Sequence, residues 1–219
     1  MNVRRAACAA VALTLFGSHR ASAQTTPRLQ FRPFAVVALE RFTASTTFDA
    51  TLGSTFQPLW GGGVEMTTRR NLFVDIAITH MASSGERAFV NNGQVFRLGI
   101  PLHADLTPIE LTAGYRFPSR RRRRHRIIPY VGAGVGWYRY HETSDFEVGS
   151  EEVGVTHAGF VAVAGAEFRV TRWIGITGDA QYTHVPGIIG GTTATSLASV
   201  AGESDLGGIA ARVRVIFGR

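Results

Sequence analysis

Five carboxylates and four guanidinium groups, scattered along the chain, share one chemical possibility. Glu65, Asp75, Glu110, Glu167 and Asp179 stand against Arg116, Arg169, Arg212 and Arg214. Each lies in a segment where apolar and polar residues alternate, so each is predicted to project from the polar face of an extended strand. Taken out of water together, such groups persist only as hydrogen-bonded ion pairs, and the planar fork of arginine suits a carboxylate. Five acids against four arginines is close to balance. That composition favours a salt-bridged interior over an open polar passage.

Other groupings could carry chemistry. His80 lies near Ser83, and a histidine can activate a serine when the two are in hydrogen-bond reach. Ala82 occupies the position two beyond His80, and Ser83 is predicted to face the other way. His80, His103, His141, His157 and His184 cluster near strand ends, and Glu142, Asp145, Glu147, Glu151 and Glu152 make one connection acidic. Imidazoles and carboxylates could bind a divalent cation there, or the stretch is a solvated acidic hairpin; no compact ligand spacing marks a metal site, and none is expected. The run Arg120–Arg124 with His125 and Arg126 has the composition of a nucleic-acid patch. Gly132, Gly134 and Gly136 suggest a phosphate loop only superficially, because they alternate within a strand and no helix follows. They are expected to leave room for long side chains from across the fold.

The elements that must position these groups are strands. Period-two alternation recurs over Phe34–Thr43, Leu59–Thr68, Leu72–Met81, Leu106–Phe117, Ile128–His141, Val155–Val170, Trp173–His184 and Leu206–Phe217, and helical periodicity is nowhere sustained. Val95–Leu102 also alternates and could extend the fourth strand. Pro33, Pro58, Pro129 and Pro186 fall at predicted strand boundaries, where a missing N–H costs little. The last stretch shows the division of faces: Ile209, Ala211, Val213, Val215 and Phe217 point one way, and Gly208, Ala210, Arg212 and Arg214 the other. In the first strand Glu40 and Arg41 are adjacent, which leaves its faces ambiguous.

The connections differ in length by turns. Thr67–Asn71, Pro118–Ile127 and Thr171–Arg172 are short or compact; Thr43–Phe56, Ala82–Asp105, Glu142–Gly154 and Val185–Asp205 are long and rich in Gly, Ser, Thr and acids. Short turns at one end and long loops at the other are the pattern of a transmembrane barrel. The expected fold is therefore all-β: an eight-stranded antiparallel up-and-down transmembrane β-barrel, its interior just filled by side chains. The arginine run then falls in a turn, where it either meets anionic lipid headgroups or is solvated. The rival is a soluble barrel of lipocalin type, apolar face inward around a lipid. Aromatics near strand ends (Trp60, Tyr115, Phe117, Trp137, Phe168, Trp173, Phe217) favour the membrane form.

The N-terminus fits export. Arg4 and Arg5 precede a short apolar run, Ala6 to Phe16, and Ala21-Ser22-Ala23 fits a cleavage site before Gln24, so residues 1–23 read as a secretory signal peptide and 24–219 as one barrel domain. The formal net charge is +7, with 23 basic residues, all arginine. Removal of the leader leaves 20 arginines against 16 acids, a net +4. An arginine-only cation set in an exported chain is weak evidence for nucleic acid, and no nucleic-acid partner is expected. Cys8, the only cysteine, lies in the leader, which leaves the mature chain without a disulfide or thiolate. No later segment is long and apolar enough for a membrane helix.

Two resemblances follow. Pro129-Tyr130-Val131-Gly132-Ala133-Gly134-Val135-Gly136-Trp137 resembles the fifth strand of the small eight-stranded outer-membrane barrels. Leu106-Thr107-Pro108-Ile109-Glu110-Leu111 and Gly114-Tyr115-Arg116-Phe117 are similar to the strand before it. That superfamily includes the outer-membrane protein A transmembrane domain and the attachment and surface-protein barrels. The resemblance implies an outer-membrane location, insertion by the barrel-assembly machinery through a C-terminal signal carried here by Val213, Val215 and Phe217, and surroundings of outer-membrane lipid and lipopolysaccharide. It implies no cofactor; the four loops would meet an unidentified extracellular partner in a structural or surface-interaction role. Phe217 is followed by Gly218 and Arg219, where the family's signal closes the chain. The second resemblance is of Ile78–Gly85 to the His-x-Ser stretch of the eight-stranded lipid A deacylases, which implies a lipid-A-modifying alternative with its serine displaced by one position.

Overall fold

The computed structural model describes residues 29–91, 94–117, 127–144, 151–188 and 202–218. The expected leader, the arginine run 120–126 and parts of the last two loops lie outside the described residues. The strands are β1 (Leu29–Phe42), β2 (Phe56–Thr68), β3 (Leu72–Asn91), β4 (Gln94–Arg116), β5 (Ile127–Ser144), β6 (Glu151–Arg169), β7 (Ile174–His184) and β8 (Gly208–Phe217); one helix, α1 (Ser45–Leu52), lies between β1 and β2. Each strand pairs antiparallel with its successor, and β8 returns to β1 from Phe34↔Ile216 to Phe42↔Gly208, so the sheet closes. Closure removes the unpaired edges that an open sheet of this length would expose.

Alternation decides what faces in. Arg32, Phe34, Val36, Glu40 and Phe42 on β1, and Thr177, Asp179, Gln181 and Thr183 on β7, are buried inside, while their neighbours point out. The outward set is apolar: Val37, Trp60, Ile76, Ile78, Trp137, Phe160, Ile209 and Val213 are all exposed. A continuous apolar belt of this size is a surface suited to hydrocarbon rather than water. The soluble-carrier alternative required the opposite arrangement, apolar face inward, and is excluded. Among the described residues no helix is long and apolar enough to cross a membrane, and none is needed, because a closed barrel satisfies its backbone internally.

The turns at one end are tight. Arg69-Arg70-Asn71 joins β2 to β3, with Asn71 at φ 62 and its N–H donated to the Thr68 carbonyl at 3.1 Å. A three-residue hairpin needs a left-handed residue there, and asparagine tolerates it. At the other end the strands run further than their alternation predicted. The connection expected over Ala82–Asp105 is mostly sheet, with β3 and β4 paired out to Asn91↔Gln94; Val95–Leu102 is indeed the outer part of β4. The first strand begins at Leu29, so Pro33 lies within it. There β1 has only β2 as neighbour, since pairing with β8 starts at Phe34, and a proline is tolerated beside an open flank.

Candidate functional site: the ion-paired lumen

Three layers of polar side chains cross the barrel interior. Nearest the turns, four residues from four strands form a closed ring. Arg32 Nη1 donates to Glu65 Oε1 at 3.1 Å and Arg32 Nη2 to Glu167 Oε1 at 2.7 Å. Arg116 completes the ring by donating to Glu65 and to Glu167. Each carboxylate thus meets two guanidiniums and each guanidinium two carboxylates, the pairing that buried charge requires, and of the ring's donors Arg32 Nε is buried without a partner among the described residues. Arg169 Nε adds a contact to Glu167 at 3.2 Å from the rim, with its side chain half-exposed.

The middle layer centres on Arg214, only 2% exposed. It donates to Asp75 at 3.1 Å and to the Tyr130 hydroxyl at 2.6 Å, and its Nε, which donates to the Thr177 hydroxyl at 3.2 Å, lies 3.2 Å from Asp179. Tyr130 in turn donates to Asp179 at 2.5 Å. The guanidinium carbon lies 5.2 Å from the Phe34 ring centre and 5.3 Å from that of Tyr130, so aromatic faces cover what the carboxylates do not. Above it, Arg212 Nε donates to Asp179 at 2.6 Å, and Arg212 Nη1 lies 3.7 Å from Glu110. Glu110 also accepts from Tyr138 at 2.8 Å and Gln181 at 2.9 Å. Glu40 is buried in electrostatic range of Glu110 and Arg212.

Toward the loops the interior becomes apolar. Phe42, Leu59, Met81, Leu106 and Tyr138 from the strands meet Phe48 of α1 and Val185, Ile188 and Leu206 of the last loop. The Phe42 and Phe48 rings stack at 4.4 Å. Glu203 reaches the start of α1, accepting from the N–H groups of Thr46 at 2.8 Å and Thr47 at 2.9 Å and from the Thr47 hydroxyl at 2.7 Å. Partial burial pushes the Glu203 carboxyl up, but these hydrogen bonds outweigh it and hold the group below its ordinary value. Asp205 is likewise held low: burial raises it, and donation from the Gly207 and Val185 N–H groups, with His184 beside it, lowers it further than burial raises it.

All nine residues of the predicted charge set, Glu65, Asp75, Glu110, Arg116, Glu167, Arg169, Asp179, Arg212 and Arg214, take part in the lumen ion pairs. Two partners were missed. Arg32 lay beyond Pro33, which the sequence presented as a boundary, although it is in phase with Phe34 and Val36. Glu40 was obscured by Arg41, which points outward. Tyr130 and Tyr138 were also missed as hydrogen-bond donors. The expectation that the β5 glycines admit side chains from across the fold holds for Gly132, over which Phe73 lies as it does over Gly114; Gly134 instead lies against the β4 backbone at Leu111, and Gly136 against Tyr138 of its own strand.

The rim histidines are dispersed. His80 lies outward against Trp60, 3.2 Å from the Thr107 hydroxyl and 3.7 Å from Asp105. His103 meets Ser84 at 2.9 Å, and His184 meets Asp205 at 2.8 Å. His80 and Ser83 are on opposite faces of β3. Among the described residues no three metal-ligating side chains converge.

A closed eight-stranded barrel with an apolar exterior and an ionic interior defines a transmembrane β-barrel. The outer membrane protein beta-barrel domain family matches residues 8–202, and the chain belongs to that family; it resides in the outer membrane. A major outer membrane protein from Thermus thermophilus superposes with TM-score 0.54 at 9% identity, over 86% of this chain and 99% of that one, which shows the shared fold. Neisserial surface protein A aligns with TM-score 0.47 at 16% identity over 86% of this chain and 97% of that one. The N-terminal barrel of Pseudomonas aeruginosa OprF aligns with TM-score 0.44 at 15% identity over the same shares. No curated protein matches the sequence.

Proposed function

We propose that the chain is a closed, non-conducting outer-membrane barrel whose lumen charges are structural and whose activity is interaction through the loop end. The observation that carries this reading is the ring Arg32–Glu65–Arg116–Glu167 beneath an apolar stopper of Phe42, Phe48, Leu59 and Met81. A barrel of eight strands has space for interior side chains and little else, and here that space is taken by ion pairs at one end and packed hydrocarbon at the other. Outer-membrane lipids and lipopolysaccharide surround the belt in this reading, and an extracellular partner meets the loops. Val213, Val215 and Phe217 serve as the insertion signal for the barrel-assembly machinery. The test of the loop role is surface proteolysis: cleavage within residues 142–154 in intact cells is expected, and protection until the outer membrane is opened would contradict it.

No catalytic role is proposed. The deacylase-like alternative needs a serine beside His80 on the lipid-facing side, and Ser83 faces the other way. Lipid A mass spectra are expected to be identical with and without the protein. Loss of an acyl chain that depends on His80 would overturn this.

A further inference from the structure

The turn end of the barrel carries an excess of cations. Its described, exposed charges are Arg69 and Arg70 between β2 and β3, Arg172 between β6 and β7, and half-exposed Arg169 at the lumen rim. No Asp or Glu occurs at 66–74, 168–178 or 215–218, described stretches at this end. The loop end is different: Asp49, Glu86, Asp105, Glu142, Glu203 and Asp205 lie there beside Arg41, Arg87, Arg97 and Arg139, so acids outnumber arginines.

Depth gives the second argument. Arg70, Arg169 and Arg172 sit one or two residues from lipid-facing side chains and Arg69 three, and a strand advances about 3.3 Å per residue. Leu72 follows Arg70 by two positions and is exposed on the belt, as are Phe31, Phe117 and Phe217 at the same rim. The Arg172 guanidinium lies over exposed Trp173, 5.7 Å from its ring centre. The Trp173 carbonyl accepts from the Gly218 N–H at 2.8 Å, which ties this turn to the end of β8. Guanidiniums are thus fixed at the boundary where hydrocarbon gives way to headgroups, flanked by an aromatic of the interfacial kind.

We infer that this rim binds the phosphates of anionic phospholipids of phosphatidylglycerol type in the periplasmic leaflet. Arginine forks bind phosphate oxygens in pairs. Among the described residues of this end no exposed carboxylate stands ready to hold the ammonium of a zwitterionic headgroup. The inference rests on the outer-membrane barrel reading and extends it from a membrane location to a lipid preference.

The test uses the full-length barrel in phosphatidylcholine vesicles carrying trace spin-labelled phosphatidylglycerol or spin-labelled phosphatidylcholine. The immobilised shell around the wild type is expected to favour the glycerol lipid about fivefold at low salt, with the preference reduced at high salt. The triple variant Arg69→Gln, Arg70→Gln, Arg172→Gln is expected to lower that preference about twofold. Equal shells for the two lipids, or a preference unchanged by the triple substitution, would overturn the proposal. So would triple-sensitive binding to peptidoglycan sacculi without lipid preference, which would reassign the rim to the cell wall. Heat-modifiable migration on unboiled gels is read for each protein: its absence in the wild type counts against the barrel in lipid, a separate failure from loss of selectivity.

Discussion

At the scale of single residues, the lumen arginines differ in how much depends on them. Arg214 is enclosed by Asp75, Asp179 and Tyr130, so Arg214→Leu takes a shared cation from two buried carboxylates. The expected loss is about 3–5 kcal/mol, the usual cost of orphaning a buried charge. Arg32→Leu breaks two sides of the turn-end ring and belongs to the same class. Arg169→Leu removes a half-exposed contact and is expected to cost no more than about 1 kcal/mol. Urea unfolding in lipid vesicles measures all three, and equal losses for Arg214 and Arg169 would contradict the ranking. The contrast was only partly legible in the sequence. Alternation placed Glu65, Asp75 and Arg214 on one face. It could not show that Glu167 is surrounded by three arginines, because Arg32 and Arg116 reach it from strands remote in the chain and Arg169 from two positions along its own.

At the scale of elements, strands were legible and the lid was not. A strand announces itself by period-two alternation, which is why β7 and β8 fall within two residues of expectation. The helix α1 has no such signal: Ser-Thr-Thr-Phe-Asp-Ala-Thr-Leu is rich in residues that disfavour helix, and eight residues are too few to be stable alone. Phe48 stacked on Phe42 and Glu203 at its N-terminus hold it in place, contacts visible only after folding. The apolar stopper escaped for a related reason. Leu59 and Met81 are in phase with the ionic lumen residues, and alternation assigns a face without telling an apolar layer of the interior from an ionic one. The Glu203 clamp makes the lid pH-dependent. Its carboxyl titrates near 4.5 when free and lower when docked, so docking is fully favoured above about 4.5 and lost as pH falls through the docked value. Amide exchange of Thr46 and Thr47 is expected to accelerate roughly tenfold or more in Glu203→Ala at neutral pH, the loss of one charge-assisted bond. Unchanged protection would show that packing of Phe48 alone secures α1.

At the scale of the whole molecule, three environments are sorted by one fold. The belt of Trp60, Ile76, Trp137 and Val213 meets hydrocarbon, the ion pairs occupy the interior, and opposite charge excesses mark the two ends. The closing strand contributes to each: Val213 and Phe217 face out, Arg212 and Arg214 face in, and Gly218 anchors the β6–β7 turn. Single-channel recording in planar bilayers tests the central claim, a lumen filled by its own side chains. The wild-type barrel is predicted to insert without conductance steps at neutral pH. Steady ohmic steps from the folded, heat-modifiable protein would contradict the closed lumen and make the charge network the lining of a pore.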